Sequence, residues 1–269
     1  MPLLHLVVLA IVQGITEFLP ISSSGHLVLV PTLFGWQDQG QTMDVAVHLG
    51  TLAAVLLYFW RDIWSLVMGL LMLARGRPDQ RTRLVGMLLI ATLPAALFGL
   101  WLHANAPDWD RSVLVIGWTT LGFGLLMWIA DGAFMHVREI RHLGVRDALI
   151  IGLMQAIALV PGTSRSGITM TGARFLGFTR VDAARFSFLL SIPTIAGAGL
   201  LAAHDLMKSG DTILVGSAIT AGLMAFLVAI LTISLLMHYV SRIGLAPFAI
   251  YRILLGGGLL VAVYSGALG

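Results

Sequence analysis

Glu17 is one of two glutamates in the chain, and it stands inside an apolar run. An ionised carboxylate in such surroundings is expensive, so it marks a functional position by default. A structural carboxylate paired with a nearby cation is the plainer alternative. Gln13 precedes it by four residues, one helical turn away on the same face. Ser22, Ser23, Ser24, Gly25 and His26 follow. Hydroxyls beside a flexible glycine and an imidazole can bind phosphate oxygens, attack phosphorus or relay a proton. The same serines can also cap a helix that starts near His26.

A second constellation, PGTSRSG, occupies Pro161 to Gly167. A turn flanked by Gly162 and Gly167 presents backbone N–H groups at a helix start, which favours anions. Arg165 adds a planar fork matched to phosphate oxygens. Thr163, Ser164, Ser166 and Thr169 add hydroxyl donors. The alternative for Arg165 is a structural pair with Glu17, and the two roles are compatible if substrate opens the pair.

These two stretches align without a gap at an offset of 142, which matches Gln13 with Gln155, Ser22 with Ser164, Ser24 with Ser166 and Gly25 with Gly167. The differences divide the labour. Glu17 faces Leu159, Ser23 faces Arg165, and His26 faces Ile168. One copy supplies acid and imidazole, the other the guanidinium, as expected of one composite site.

The chain that must position these groups has 269 residues, 58% apolar and 11% charged, with a mean hydropathy of +0.94. Soluble domains are about 45–50% apolar and about 25% charged. A water-soluble globule and a disordered chain are both excluded, and an integral membrane protein remains. With no cysteine, disulfides and thiol catalysis are excluded. Met1–Ala10 lacks a basic n-region, so no cleavable signal peptide is expected.

Six runs are long enough to cross a bilayer: Asp44–Trp60, Leu84–Leu102, Ser112–Ala130, Arg185–Ala203, Thr212–Met237 and Pro247–Gly266. Leu3–Phe34 and Ala148–Phe178 are also apolar, but each is broken by its serine cluster. Irregular backbone survives in a membrane only when buried in protein or lining a wet cavity. Both read as re-entrant helix–loop–helix hairpins, with ordinary Pro-kinked spans as the alternative. The fold class is therefore an all-α polytopic membrane protein in a single domain, 1–269. Its inverted-topology halves run approximately from 1 to 130 and from 147 to 269, because an odd number of spans separates the hairpins.

Threaded this way, one side carries Arg61, Arg75, Arg77, Arg81, Arg83, Arg138, Arg141, Arg146, Arg174, Arg180, Arg185, Arg242 and Arg252. The other carries Arg111 and Lys208, and Arg165 is left inside a hairpin. The positive-inside rule makes the arginine-rich side cytoplasmic and puts both termini outside. The run from Arg75 to Arg83 reads as an anchor at anionic headgroups. Weaker site candidates are Asp44 and His48 on one helix face, and Asp147 and Gln155 beside the second hairpin. His5, His103, His136, His142, His204 and His238 fall near predicted ends. The methionines and tryptophans read as lipid-facing, core or headgroup-belt residues.

The segment from Gln13 to His26 resembles the [E/Q]xxxE and SS(S/T)GH motif of the undecaprenyl-pyrophosphate phosphatase, or bacitracin-resistance, family. Pro161 to Gly167 with Thr169 is similar to that family's PGxSRSxxT motif. Agreement extends through Phe186–Leu190 and Pro247–Arg252, and so over essentially the whole chain. The resemblance implies a bacterial inner-membrane enzyme that removes one phosphate from undecaprenyl pyrophosphate and recycles the lipid carrier for peptidoglycan. It implies a site open to the external side and a divalent cation, Mg²⁺ in the first place and Ca²⁺ as the alternative. Gln13 stands where many members carry Glu. The roles implied are Glu17 as metal-associated or basic group, Ser23 as phosphate-binding residue and candidate nucleophile, His26 as acid/base or alternative nucleophile, and Arg165 as transition-state clamp. Gln13, Ser22, Ser24, Gly25, Gly162, Thr163, Ser164, Ser166, Gly167 and Thr169 complete the substrate site. Partners are the isoprenoid pyrophosphate lipid and membrane lipids, with a homodimer left open and no nucleic acid. Spacing alone also fits a secondary transporter, because inverted repeats with broken helices recur in transporters. A non-catalytic lipid-binding protein is the third reading.

Overall fold

The computed structural model describes residues 2–37, 39–105, 112–133, 136–209 and 212–268, with side chains omitted at 41–42, 201–209 and 212–215. Arg111 therefore lies outside the described residues, as do the side chains of His204 and Lys208. The described chain is helical: α1 (Leu3–Thr16), α2 (Ser23–Phe34), α3 (Gly40–Tyr58), α4 (Trp60–Ala74), α5 (Gln80–Asn105), α6 (Val113–Gly132), α7 (Val145–Ile157), α8 (Arg165–Phe175), α9 (Arg180–Ser209), α10 (Thr212–Ile243) and α11 (Ala246–Tyr264). Helices satisfy their own backbone, which is what a bilayer demands.

Five of these are long and apolar enough to cross a membrane, and a sixth span is formed if α3 and α4 are counted together. They correspond to the six expected runs, with one addition. The expected span Asp44–Trp60 ends at Tyr58, and the chain turns by 84° at Phe59 into α4. The sequence reading assigned no element to 61–74. Trp60, Trp64, Val67 and Leu71 recur at helical spacing along α4 and are all exposed, which suits a lipid-facing stripe. Its opposite face buries Gly69 against the backbone of Arg81, and Thr82 Oγ1 donates to the Gly69 carbonyl at 3.1 Å. Asp79 caps α5 by accepting from the backbone of Thr82 and Arg81, and these bonds hold its carboxyl below the ordinary range.

Both broken stretches are hairpins, not kinked spans. At 1.5 Å per residue, α1 and α2, of 14 and 12 residues, measure about 21 and 18 Å, well short of a bilayer core of about 30 Å. His5 at the start of α1 stacks on Trp36 just past α2, with ring centroids 3.9 Å apart. The chain thus leaves from the end at which it entered. The second stretch closes the same way: Arg138 N donates to the Gly177 carbonyl at 3.0 Å, and Thr179 N donates to the Arg138 carbonyl at 2.9 Å.

The hairpins enter from opposite ends of the bundle. Val28 and Leu29 of α2 pack with Ile116 near the start of α6 and Leu259 in α11. Arg174 at the end of α8 pairs instead with Asp131 at the far end of α6. That far end is the arginine-rich one. Asp131 also takes Arg180 at 2.9 Å, Arg138 pairs with Asp147 at 2.6 Å, and Arg185 Nε donates to Asp62 at 3.1 Å. Long spans then wall in the hairpins. Helix α3 lies so close to α10 that a Cβ on Gly50 would stand 2.0 Å from the Gly222 carbonyl oxygen. Such small-residue contacts let backbones approach where lipid offers no hydrophobic drive.

Candidate active site

The two hairpin turns meet in the interior. Ser22 and Ser164 cap α2 and α8 with the same unusual backbone, at φ of 79° and 70°. Each hydroxyl accepts from the backbone N–H three residues on, Gly25 at 3.3 Å and Gly167 at 3.1 Å. Positive φ costs a non-glycine residue about 1–3 kcal/mol and persists only where the surroundings enforce it. Here the enforcement comes from contact between the turns. Ser166 Oγ donates to the carbonyls of Glu17 and Leu19, each at 3.2 Å. Helix α6 clasps the second turn through Thr119 Oγ1 to the Pro161 carbonyl at 2.6 Å and Thr120 Oγ1 to the Gly162 carbonyl at 3.2 Å. Gly162 has φ of +83°, and a Cβ there would lie 2.2 Å from Thr119 Oγ1. Only glycine fits.

Glu17 is the centre of this junction and is 5% exposed. Its Oε2 accepts from Ser23 Oγ at 2.7 Å and Gln13 Nε2 at 3.1 Å, and its Oε1 accepts from Arg165 Nη2 at 2.8 Å. The acid of the first hairpin and the guanidinium of the second are thus in direct contact, as the differences between the two copies led one to expect. Arg165 is fixed on its other side by Nη1 donating to the Ser187 carbonyl of α9 at 3.1 Å. Thr169 supports the same corner through a 2.7 Å contact with the Ser187 hydroxyl.

His48 of α3 joins the cluster, its Nε2 3.3 Å from Glu17 Oε2 and its Nδ1 2.6 Å from the Asp44 carbonyl. Both of its ring nitrogens thus face oxygen acceptors, a carbonyl on one edge and the carboxylate on the other. His26 lies three residues beyond Ser23 on α2 and so shares its face. Its Nδ1 contacts the Ser22 carbonyl at 2.7 Å and its Nε2 contacts Tyr251 Oη of α11 at 2.7 Å. Ser23, His26 and Arg165 are partly accessible and Ser24 is exposed. Ser22, Ser164, Ser166, Thr163 and Thr169 are buried, and all but Thr163 have their hydroxyls engaged within the protein. Gln155 is turned away, bonding the Ala91 carbonyl of α5 at 3.3 Å.

Arg252 requires a correction. The threading places it on the arginine-rich side, with Arg165 as the one embedded cation. It is fully buried instead, donating to the carbonyls of Thr120, Pro20, Thr119 and Gly162 at 3.0–3.4 Å. It ties both hairpin turns to α6. Of the further site residues, sequence reasoning had named His48 among weaker candidates, but it missed Ser187, Tyr251 and Arg252. The signal for Arg252 was present, since an arginine in an apolar run is as anomalous as Glu17.

A divalent cation fits the donor set in one place. Gln13 Oε1 is buried without a hydrogen-bond partner, one turn from Glu17. A carboxylate, a neutral amide oxygen and the Ser23 hydroxyl suit a hard cation that takes its remaining ligands from phosphate and water. Among the described residues no group of three His, Asp or Glu could hold a metal unaided.

The family model described as bacitracin resistance protein BacA matches residues 6–258. The chain belongs to the BacA family. Similar proteins match it over almost its whole length. An "Undecaprenyl-diphosphatase" of Ruegeria pomeroyi is 51% identical over 98% of this chain and 100% of the relative. "Undecaprenyl-diphosphatase 1" of Rhodospirillum rubrum is 49% identical over 99% and 97%, and an "Undecaprenyl-diphosphatase" of Hahella chejuensis is 50% identical over 97% and 98%. The BacA assignment covers both hairpins and the junction between them.

Proposed function

We propose that this chain hydrolyses undecaprenyl pyrophosphate to undecaprenyl phosphate and orthophosphate, recycling the lipid carrier of envelope synthesis and conferring bacitracin resistance. The observation that carries the reading is the Ser23–Glu17–Arg165 cluster, in a chain about half identical to relatives named for that activity. A site between re-entrant turns lets the isoprenoid chain stay in lipid while its charged head enters the junction.

The residues divide as follows. Ser23 is the nucleophile and Glu17 its base, because the hydroxyl already donates to the carboxylate. Arg165 and His48 quieten Glu17 until the pyrophosphate offers Arg165 a second anion. As the guanidinium shifts toward phosphate, the carboxylate becomes more basic. Ser23 Oγ then attacks the terminal phosphorus, its proton passes to Glu17, and the bond to the bridging oxygen breaks to release undecaprenyl phosphate. Water attacks the same phosphorus, the Oγ–P bond breaks, Glu17 returns the proton to Ser23, and both hydrogens of the water leave with the phosphate as H₂PO₄⁻. Arg165 follows the charge on the equatorial oxygens through both steps. Glu17 and Gln13 would hold a divalent cation, whose chemistry is to neutralise pyrophosphate oxygens.

The site faces the external side of the bacterial inner membrane, on the basis of the arginine-rich end opposite the open end of the first hairpin. The two halves are an inverted repeat, supported by the matched caps at Ser22 and Ser164 and by entry from opposite ends. The test uses purified protein in detergent, without any gradient. Orthophosphate release from an isoprenoid pyrophosphate, lost on chelation and restored by Mg²⁺, is the expected result. Absence of release under all metal conditions would leave a transporter or lipid-binding protein instead.

A further inference from the structure

The motif running from Pro247 to Arg252 is used by none of the steps above, yet α11 carries it to the site. Arg252 holds the turns, while its neighbour Tyr251 reaches His26. The contact has a direction. A backbone carbonyl can only accept, so the 2.7 Å contact between His26 Nδ1 and the Ser22 carbonyl places a hydrogen on Nδ1. The other nitrogen of the neutral ring is then the acceptor, and Tyr251 Oη donates to it at 2.7 Å. Both polar neighbours are uncharged, a carbonyl and a phenol. The rings lie within 13° of parallel with centroids 5.8 Å apart, so the phenol also fixes the tilt of the imidazole. His48 differs, because its two nitrogens face a carbonyl and a carboxylate.

We propose that Tyr251 is a positioning residue for the reaction: its hydroxyl holds His26 as the Nδ1–H tautomer, so that Nε2 is the nitrogen without a hydrogen and takes one up at the mouth of the junction once the phenol yields its place. This rests on the phosphatase reading and adds to it a part for His26, the acid/base group that the family resemblance implies and that the steps above leave idle. The tautomer matters because an imidazole can accept a proton only at the nitrogen that lacks one. In free neutral histidine the hydrogen moves between both nitrogens, and a wrong tautomer presents a donor where an acceptor is needed. The Ser22 carbonyl and Tyr251 Oη together remove that freedom from opposite edges of the ring. Ser22 is itself held by the junction, so the orientation of His26 is referred to both hairpins and to α11 at once.

The experiment compares Tyr251→Phe, His26→Gln and the double variant in the full chain, in detergent, with a short isoprenyl pyrophosphate and Mg²⁺. Tyr251→Phe removes one oxygen from a 41% exposed side chain and is expected to keep the fold. Its kcat should fall about tenfold or more while KM changes less than about twofold, a part of the factor a positioned acid or base supplies. The same change in the His26→Gln background should have no further effect. Imidazole ¹⁵N spectra, with His26 assigned by its loss in His26→Gln, should show one Nδ1–H tautomer in the parent protein and a mixture in Tyr251→Phe. Unaltered kcat in Tyr251→Phe, an undiminished loss in the His26→Gln background, or an unchanged spectrum would each overturn the proposal. If the parent protein releases no orthophosphate, the phosphatase reading has failed; if it does and His26→Gln turns over normally, the proposal has failed and that reading stands. If His26→Gln is inactive and Tyr251→Phe is not, the proposal alone has failed.

Discussion

Arg165 Nη2 lies 2.8 Å from Glu17 Oε1, so residues 148 positions apart in sequence form one ion pair across the junction of the two hairpins. The pair is neither a bidentate fork nor a closed one. Nη2 serves Glu17, and Nη1 serves the Ser187 carbonyl at 3.1 Å. The guanidinium is therefore aimed from two sides before any substrate arrives.

Lysine cannot reproduce that aim. Arg165→Lys keeps the charge but offers a point donor in place of a planar fork. The expected loss is about a hundredfold in kcat/KM, or about 3 kcal/mol, comparable to removing one preorganised donor at a charged transition state. Melting in detergent should stay near that of the parent protein. Near-normal turnover in a folded Arg165→Lys protein would remove the clamp from the mechanism.

Arg252 should behave in the opposite way, through stability. Its guanidinium serves four carbonyls drawn from both turns and α6, and no carboxylate is among these partners. Arg252→Met fills the space but leaves those buried acceptors short of donors, at about 1–3 kcal/mol per group that finds no replacement. A fall in detergent melting temperature together with lower yield is expected. Arg61→Met, at an exposed residue beside Trp60, serves as the control and should leave melting unchanged. Equal melting of the two variants would rule out the tie.

The contrast between these arginines shows what could be read from sequence. Glu17 and Arg165 stood out because an ionisable residue in the middle of an apolar run has no cheap explanation. The repeat then paired them, since each copy lacked what the other held. Arg252 obeys the same logic, but it sits six residues inside α11, where a run end read from hydropathy left it on the surface. The hairpins were legible from Pro, Gly and Ser at the breaks. Helix α4 was not, because Arg61 and Asp62 cut it off from the run before it, and its 15 residues are too few for a search that looks for runs able to cross a bilayer. His48 could be listed by type but not placed, since the bend of the first hairpin decides which face of α3 meets Glu17.

Sidedness can be tested directly, because the chain has no cysteine. Helix α5 runs 26 residues, about 39 Å, so its two ends lie on opposite faces of the bilayer. An impermeant thiol reagent on intact cells should label Asn105→Cys and Ser265→Cys, and should reach Arg77→Cys only after lysis. The asymmetry of arginine along the chain motivates this direction. Labelling of Arg77→Cys in intact cells would invert the threading and with it the side to which the site opens.

The identity of the nucleophile is the sharpest question the junction poses, and its geometry ranks the contenders. Ser23 Oγ already donates its hydrogen to a carboxylate, Glu17 Oε2, at 2.7 Å. His26 has both nitrogens engaged, one by a carbonyl and the other by Tyr251. Attack by His26 would require breaking its contact with the phenol, whereas attack by Ser23 requires only that its proton continue to Glu17. Ser23→Ala should therefore reduce turnover by about a thousandfold or more, as removal of an activated nucleophile does. Glu17→Gln should fall by a similar factor, and the double variant should be little worse than either, because two groups that act as a unit are not additive. Acid quench of the parent enzyme during turnover of a ³²P-labelled substrate should trap label on Ser23, since phosphoserine survives acid and phosphohistidine does not. Label that is lost in acid but retained in base would transfer the role to His26. Full turnover by Ser23→Ala would leave water as the attacking group, with Glu17 as its base.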